Sequence, residues 1–292
     1  MNRTIIYFIA LCLFFASCKK EAGLKASPDE ADPFARIDNA GNAADHQIYL
    51  FYKDSGIPVL YSDTVAKNPL KLLNLGYHLT SLDTAVMAKY STNQTDIIAG
   101  LNFIKSQIVP YLGSTLKPYS ILLTDSVYTF VPDPSGPGLV KSPLNAYVGL
   151  NTLAISYISE ISTMDQARVK KFRNDILKNI LTAKINADLV LFNKFSSVSS
   201  AFYNKTAYGT TSNRYQVPFV PKGNYGLLVD GTEQPTYYSI TGPAEDLANY
   251  LDTILSVSAA DFLNANQSYP LVMQKYNLLL DFFKTVGFKV PQ

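Results

Sequence analysis

Residues 166–195 read QARVKKFRNDILKNILTAKINADLVLFNKF, and the spacing of apolar residues in this run decides what the rest of the chain can be built on. At 100° per residue, Leu177, Leu181, Lys184, Asp188, Phe192 and Phe195 fall on one face. The spacing therefore predicts one long helix over Gln166 to Phe195, with a lysine and an aspartate set into an apolar stripe. Two assignments of those charges are open. In one, Lys184 and Asp188 pair across one helical turn, contributing roughly 0.2–0.5 kcal/mol if solvent-facing and costing several times more to break if buried. In the other they are a plain surface pair and the inner face is Ile176, Ile180, Ala183 and Leu191. That choice leaves Leu177, Leu181 and Phe192 still to be covered.

Working outward from this helix, the preceding chain alternates helical and extended signals. Ile48, Leu50, Phe51 and Tyr52 suit a helix over Asp45 to Lys53 that Gly56 ends, with an edge strand at Pro58 to Tyr61. Ser91-Thr92-Asn93 offers a cap for a helix from Gln94 to about Leu112, shortened or kinked at Pro110. Three short strands follow at Tyr119 to Leu123, Val127 to Val131 and Ala146 to Leu150, the last two separated by the turn-rich run from Pro132 to Gly138. After Phe195 the chain is polar and aperiodic to about Asp230, long enough that hidden strands or a binding surface are expected there. Gly242-Pro243 opens a helix with Leu247, Leu251, Ile254 and Leu255 inward. A last helix, Tyr269 to Val286, should bury Met273, Tyr276, Leu280 and Phe283. The order of elements predicts an α+β fold, a small mixed sheet packed with several helices and one long central helix.

Composition excludes some functions. The 292 residues carry 25 Lys and Arg against 23 Asp and Glu, scattered along the chain, so no basic footprint for nucleic acid is present. The 20 Tyr and 16 Phe supply ample core. The amino terminus reads as a secretory signal over residues 1–17, with Asn2-Arg3 as the basic region, Ile5 to Phe15 as the apolar core and Ala16-Ser17 before Cys18. Eleven residues of apolar-rich chain are too few to span a bilayer as a helix. Small-small-Cys is the lipobox arrangement of bacterial lipoproteins, which makes Cys18 the expected lipid attachment site, with palmitate among its acyl groups. Lys19, in place of an aspartate, favours the outer membrane, on its periplasmic or cell-surface face. Residues 18–33 read as a lipidated flexible tether and residues 34–292 as a single globular domain. Cys12 lies in the removed segment, so the mature chain has no disulfide partner for Cys18.

Catalytic constellations are sparse. There is no Gly-x-Ser-x-Gly elbow, no phosphate loop and no dinucleotide-binding glycine pattern. His46 and His78 are far apart in sequence. Asp125, Asp230 and the pair Glu245 and Asp246 have ordinary explanations as turn and first-turn acids. Tyr203, Tyr208, Tyr215, Tyr225, Tyr237 and Tyr238 cluster among Asn and Ser, which suits either an adaptable contact surface or a lid over the core.

Several local patterns resemble a known family: Tyr49-Leu50-Phe51-Tyr52 leading through Gly56 to a short strand, Pro118-Tyr119-Ser120-Ile121-Leu122-Leu123, Asn193-Lys194-Phe195, and Glu245-Asp246-Leu247-Ala248. Together with the lipobox and the order of elements, the chain resembles the zinc metallohydrolase lipoproteins found beside TonB-dependent import systems, which carry a zincin-like fold and an H-E-x-x-H helix. The resemblance implies that Lys184, Ile185 and Asp188 stand where that motif has its first histidine, its glutamate and its second histidine. Zinc chemistry needs two neutral imidazoles one turn apart, a third ligand and a carboxylate base. Lysine repels a cation and isoleucine accepts no proton, so the resemblance implies a degenerate site with no metal, no cofactor and no catalytic residue. The expected function is non-catalytic binding of a peptide, a glycan or a partner protein, import components among them, in nutrient acquisition. The alternatives are a hydrolase using Glu245, Asp246 and a tyrosine in the same cleft, and a structural lipoprotein.

Overall fold

The computed structural model describes residues 32–67, 70–76, 85–209, 214–228 and 237–291. The signal stretch, Cys18, most of the tether, His78 and Asp230 lie outside the described residues. From Arg36 onward the chain forms one compact unit.

The architecture is α+β, with small sheets flanked by helices. Helix α1 (Ala43–Ser55) starts where the Asn42 side chain accepts from the amide of Asp45, and stops at Gly56, whose φ of 73° suits a residue without a Cβ. Strand β1 (Val59–Leu60) follows, then the β2 (Thr64–Lys67) and β3 (Leu70–Leu72) hairpin and β4 (Met87–Lys89). Helix α2 (Gln94–Phe103) is capped by Asn93 and widens into a π turn over Ile104–Ile108 just before Pro110, which has no amide to continue the ladder.

Strands β5 (Ser120–Leu123), β6 (Ser126–Pro132), β7 (Leu139–Leu144), β8 (Ala146–Val148) and β9 (Thr152–Ile155) complete two sheets. The main sheet has the order β1-β5-β9-β8, in which β1, β5 and β9 are parallel and β8 is the antiparallel edge. Every residue of β5 and β9 is buried, as expected of parallel strands covered on both faces. Within that dry layer the hydroxyls of Ser120 and Thr152 bond each other at 2.7 Å. The other sheet is β4-β6-β7. Its β6–β7 hairpin turns through residues 133–138, where Asp133 accepts from the amide and hydroxyl of Ser135. The break expected after Val131 is thus a hairpin tip. Strands β7 and β9 were not anticipated: Pro143 and Lys141 disguise the first, and the second follows β8 after a three-residue turn.

The expected single helix over Gln166 to Phe195 is two helices. Helix α3 (Gln166–Ala187) ends at Asp188, whose φ of −96° and ψ of 84° lie outside the helical region, and α4 (Leu189–Ser197) begins there. The physical reason is capping: the Asp188 carboxylate accepts from the amide of Leu191 at 3.0 Å, meeting a donor that a new helix would leave unpaired. Helix α3 buries Phe172, Ile176, Leu177, Ile180, Leu181 and Ile185. Neither proposed face was complete. The helix packs against β8 on one side and against α5 (Pro243–Ser256) on another, so it needs a broader apolar surface than one stripe. Ile176, Leu177, Leu181 and Ile185 are fully buried, each contributing about 1.5–3 kcal/mol relative to exposure.

The polar stretch after α4 does contain strands. β10 (Thr206–Tyr208), β11 (Gln216–Pro218) and β12 (Tyr237–Ser239) form a three-stranded sheet over a second small core of Ala207, Val217, Tyr225, Leu227, Tyr238 and Ile240. Strand alternation divides the tyrosines, since Tyr208 and Tyr237 pair across β10 and β12 and are exposed while Tyr238 faces inward. Helices α6 (Ala259–Asn266) and α7 (Pro270–Val286) close the chain. The buried stripe of α7 is Val272, Lys275, Tyr276, Leu279, Phe283 and Val286, one position away from the expected Met273 and Leu280, which are half-buried.

Candidate functional site

A groove of about 440 Å³ opens at the amino-terminal ends of β5 and β9. One wall is the carboxy-terminal half of α3, where Ile180, Ala183, Lys184 and Ala187 recur at helical spacing. The opposite wall is the turn from Thr115 to Tyr119 that leads into β5, together with the β8–β9 turn from Val148 to Thr152. Leu116, Thr152, Leu153 and Ile180 are buried at its base, whereas Tyr119 and Leu150 stand at the rim, 53% and 79% exposed. Two alanines on the helix wall leave the space open. Gly149 is required at the turn, because a Cβ there would stand 2.4 Å from the carbonyl oxygen of Leu75.

The charges of the groove come from lysine alone. Lys117 and Lys184 line it, and no Asp or Glu does. Lys184 is exposed and, among the described residues, makes no ion pair or hydrogen bond through its ammonium. The predicted pairing with Asp188 is therefore absent, because that carboxylate is turned to the start of α4. Ile185 points the other way and is fully buried. Among the described residues no three His, Cys, Asp or Glu side chains are grouped as a metal would need. His46 sits on the surface of α1, with Nδ1 2.7 Å from Asp38.

The second polar feature is inside the protein. The Lys275 ammonium, on α7, is fully buried and lies 2.5 Å from Oδ2 of Asp246 on α5. It also donates to the hydroxyl of Ser199 at 2.6 Å, the carbonyl of Gly226 at 2.9 Å and the hydroxyl of Tyr203 at 3.2 Å. The rings of Phe195, Tyr203 and Tyr250 surround it, with centroids 4.9, 5.3 and 5.6 Å away. Tyr203 donates to Asp246 at 2.6 Å and Tyr250 donates to the Gly226 carbonyl at 3.0 Å. Burial pushes the Asp246 carboxyl up, opposed by the Lys275 charge and by hydrogen bonds from Lys275 and Tyr203. Burial pushes Lys275 down, opposed by Asp246. The hydroxyls of Tyr203 and Tyr250 are held far above the usual phenol range by the same desolvation and by the nearby carboxylate.

Of the two acids singled out at the start of α5, Asp246 enters this interior cluster and Glu245 faces solvent. Neither lines the groove. A tyrosine does join Asp246, but Ser199, Asp246 and Lys275 are at most 1% exposed, and only Tyr203 of the group is partly exposed. The group joins α7, α5 and the 199–226 segment at one nitrogen. Lys275 and Ser199 were missed by pattern reading. The first had a visible signal, since Val272, Lys275, Tyr276 and Leu279 lie at helical spacing with a lysine in the apolar series; the second had none.

The chain shows no significant match to any protein-family model, to any curated protein or to any solved structure.

Proposed function

We propose that the protein is a non-catalytic, lipid-anchored outer-membrane binding protein of zincin-like descent, whose groove beside Lys184 takes a ligand during nutrient acquisition. The observation that carries this reading is the groove itself, about 440 Å³ in volume and lined by Ala183, Lys184 and Ala187 of α3. Its size falls in the range of ligand pockets, roughly 300–1,000 Å³, and apolar walls with a few polar groups suit reversible binding. The same helix segment carries the register that resembles the metallohydrolase motif, beside a small sheet of mixed direction. A lysine and an isoleucine at that register supply neither metal ligand nor base, so binding without turnover is the chemistry available there. The peptide, glycan or protein segment would enter from the side of Tyr119 and Leu150.

The test is binding from defined peptide and oligosaccharide pools to the purified protein and to an Ala187→Trp variant, whose indole would fill the groove from an exposed position. Ligands retained by the parent and lost by the variant, with unchanged circular dichroism, support the reading. Retention of the same ligands by both proteins, or of none by either, overturns it.

A further inference from the structure

Resting on the groove reading above, we infer that the groove receives the carboxy-terminal end of a peptide with an apolar last residue, its carboxylate held between Lys117 and Lys184. The charges of the groove support this first. Its lining contains these two lysines and no acid. Two other lysines on α3 are paired with acids, Lys171 with Asp175 at 3.0 Å and Lys178 with Asp252 at 2.8 Å, while Lys170, away from the groove, donates to the Ser256 carbonyl at 3.4 Å. Lys184 has no such partner, and Lys117 has only the Ser55 carbonyl at 3.4 Å. Lys184, without a counter-charge on one wall, is complementary to an anion in the groove, and Lys117, exposed and held only by the Ser55 carbonyl outside it, would turn from that carbonyl to the same anion.

The surroundings select the kind of anion. Lys184 stands in the last turn of α3, where the helix dipole presents its negative end. That end opposes a dianion such as a phosphate more than a single carboxylate. Below the lysines the walls are apolar, and the small side chains of Ala183 and Ala187 leave room over Ile180 and Leu153 for one aliphatic side chain. Thr115 and Asn151 add neutral hydrogen-bonding groups, which a peptide amide uses and a fatty-acid chain does not. The groove is also open along one side, so a purely aliphatic chain would remain half in water, whereas a peptide can turn its polar backbone outward. The volume suits a chain end rather than a long segment.

The experiment is isothermal titration of the full mature protein with acetyl-Gly-Ala-Leu bearing a free carboxylate, with the same tripeptide as its amide, and with decanoate. The free acid should bind, and the amide about tenfold more weakly or less. Lys184→Gln and Lys117→Gln, both exposed and safe for folding, should each weaken the acid by about tenfold and leave the amide unchanged. Equal binding of acid and amide, indifference to both substitutions, or binding of decanoate alone overturns the carboxylate assignment. In those cases ligand loss in Ala187→Trp still upholds the groove. No binding of any of the three probes also overturns the assignment, and the pool experiment then decides the groove separately.

Discussion

An ammonium group out of contact with water keeps its charge only where other groups replace the solvation it has lost. Around Lys275 a carboxylate, two hydroxyls, a carbonyl and three aromatic faces do so. Removing one member should therefore cost more than the pair is worth. Asp246→Asn leaves the lysine buried without its counter-charge and Lys275→Met leaves the carboxylate so; each should destabilise by about 3–5 kcal/mol in denaturant unfolding. The double variant Lys275→Met with Asp246→Leu, which removes both charges, should recover most of that loss, and a double mutant as unstable as the sum of the singles would refute the coupling. Asp246→Asn also gives a pH signature. Burial already lowers Lys275, and without Asp246 the lowering deepens, so between its folded pKa and the ordinary lysine value the unfolded state binds the extra proton. Stability of this variant relative to the parent should rise from neutral pH toward that ordinary value, and fall again as pH drops. Sequence reading set Glu245, Asp246 and a tyrosine only as a hydrolase alternative in the cleft beside α3, which neither acid lines, and it did not single out the lysine. A lysine within an apolar helical series is ordinarily assigned to the surface, and only the packing of α7 against three other segments places it inside.

Helix α3 and its end show how a strong pattern can be read one element too long. The apolar spacing continues through Asp188 into Phe192 and Phe195, and periodicity alone has no means of detecting that the axis changes. The signal was local: an aspartate followed by Leu189-Val190-Leu191 has the form of a helix start, and its carboxylate holds the Leu191 amide. Ordinary β signals placed β5, β6 and β8 correctly, and the caps at Asn42, Asn93 and Asp165 lie where polar residues precede apolar series. What the sequence hid depends on contacts between distant segments. The wall of the groove is an example, since Gly113 lies so close to the end of α7 that a Cβ would stand 2.1 Å from the carbonyl of Val286, and Thr115 donates to that same oxygen at 3.1 Å. Asp188→Ala, which removes a cap on the surface, should cost about 1 kcal/mol and loosen α4 in hydrogen exchange while leaving α3 protected. Loss of protection throughout α3 instead would show that the two helices behave as one.

At the scale of the whole molecule, the lipobox-like ending at Cys18 is the basis for proposing that a chain whose compact unit begins at Arg36 is tied to a membrane. No helix among the described residues is long and apolar enough to cross one. The link proposed from the Ala16-Ser17-Cys18 ending is covalent, through the Cys18 thiol. Each buried methylene of an acyl chain contributes about 0.8 kcal/mol, and a single chain binds only reversibly, so stable anchoring requires the multiple chains of a lipoprotein terminus. Serine has no thiol to accept them. Expressed with its own leader in a Gram-negative host, the parent should enter the detergent-rich phase on phase separation and take up labelled palmitate, while Cys18→Ser should stay aqueous and unlabelled. Equal detergent partitioning of the two would exclude the lipid as the anchor. The groove residues, Thr115 to Ala187, all belong to the unit that begins at Arg36, so the same substitution should leave binding of acetyl-Gly-Ala-Leu unchanged. Anchoring and recognition are then separable: Cys18→Ser should abolish the first and leave the second, and Lys184→Gln should weaken the second by about tenfold and leave the first.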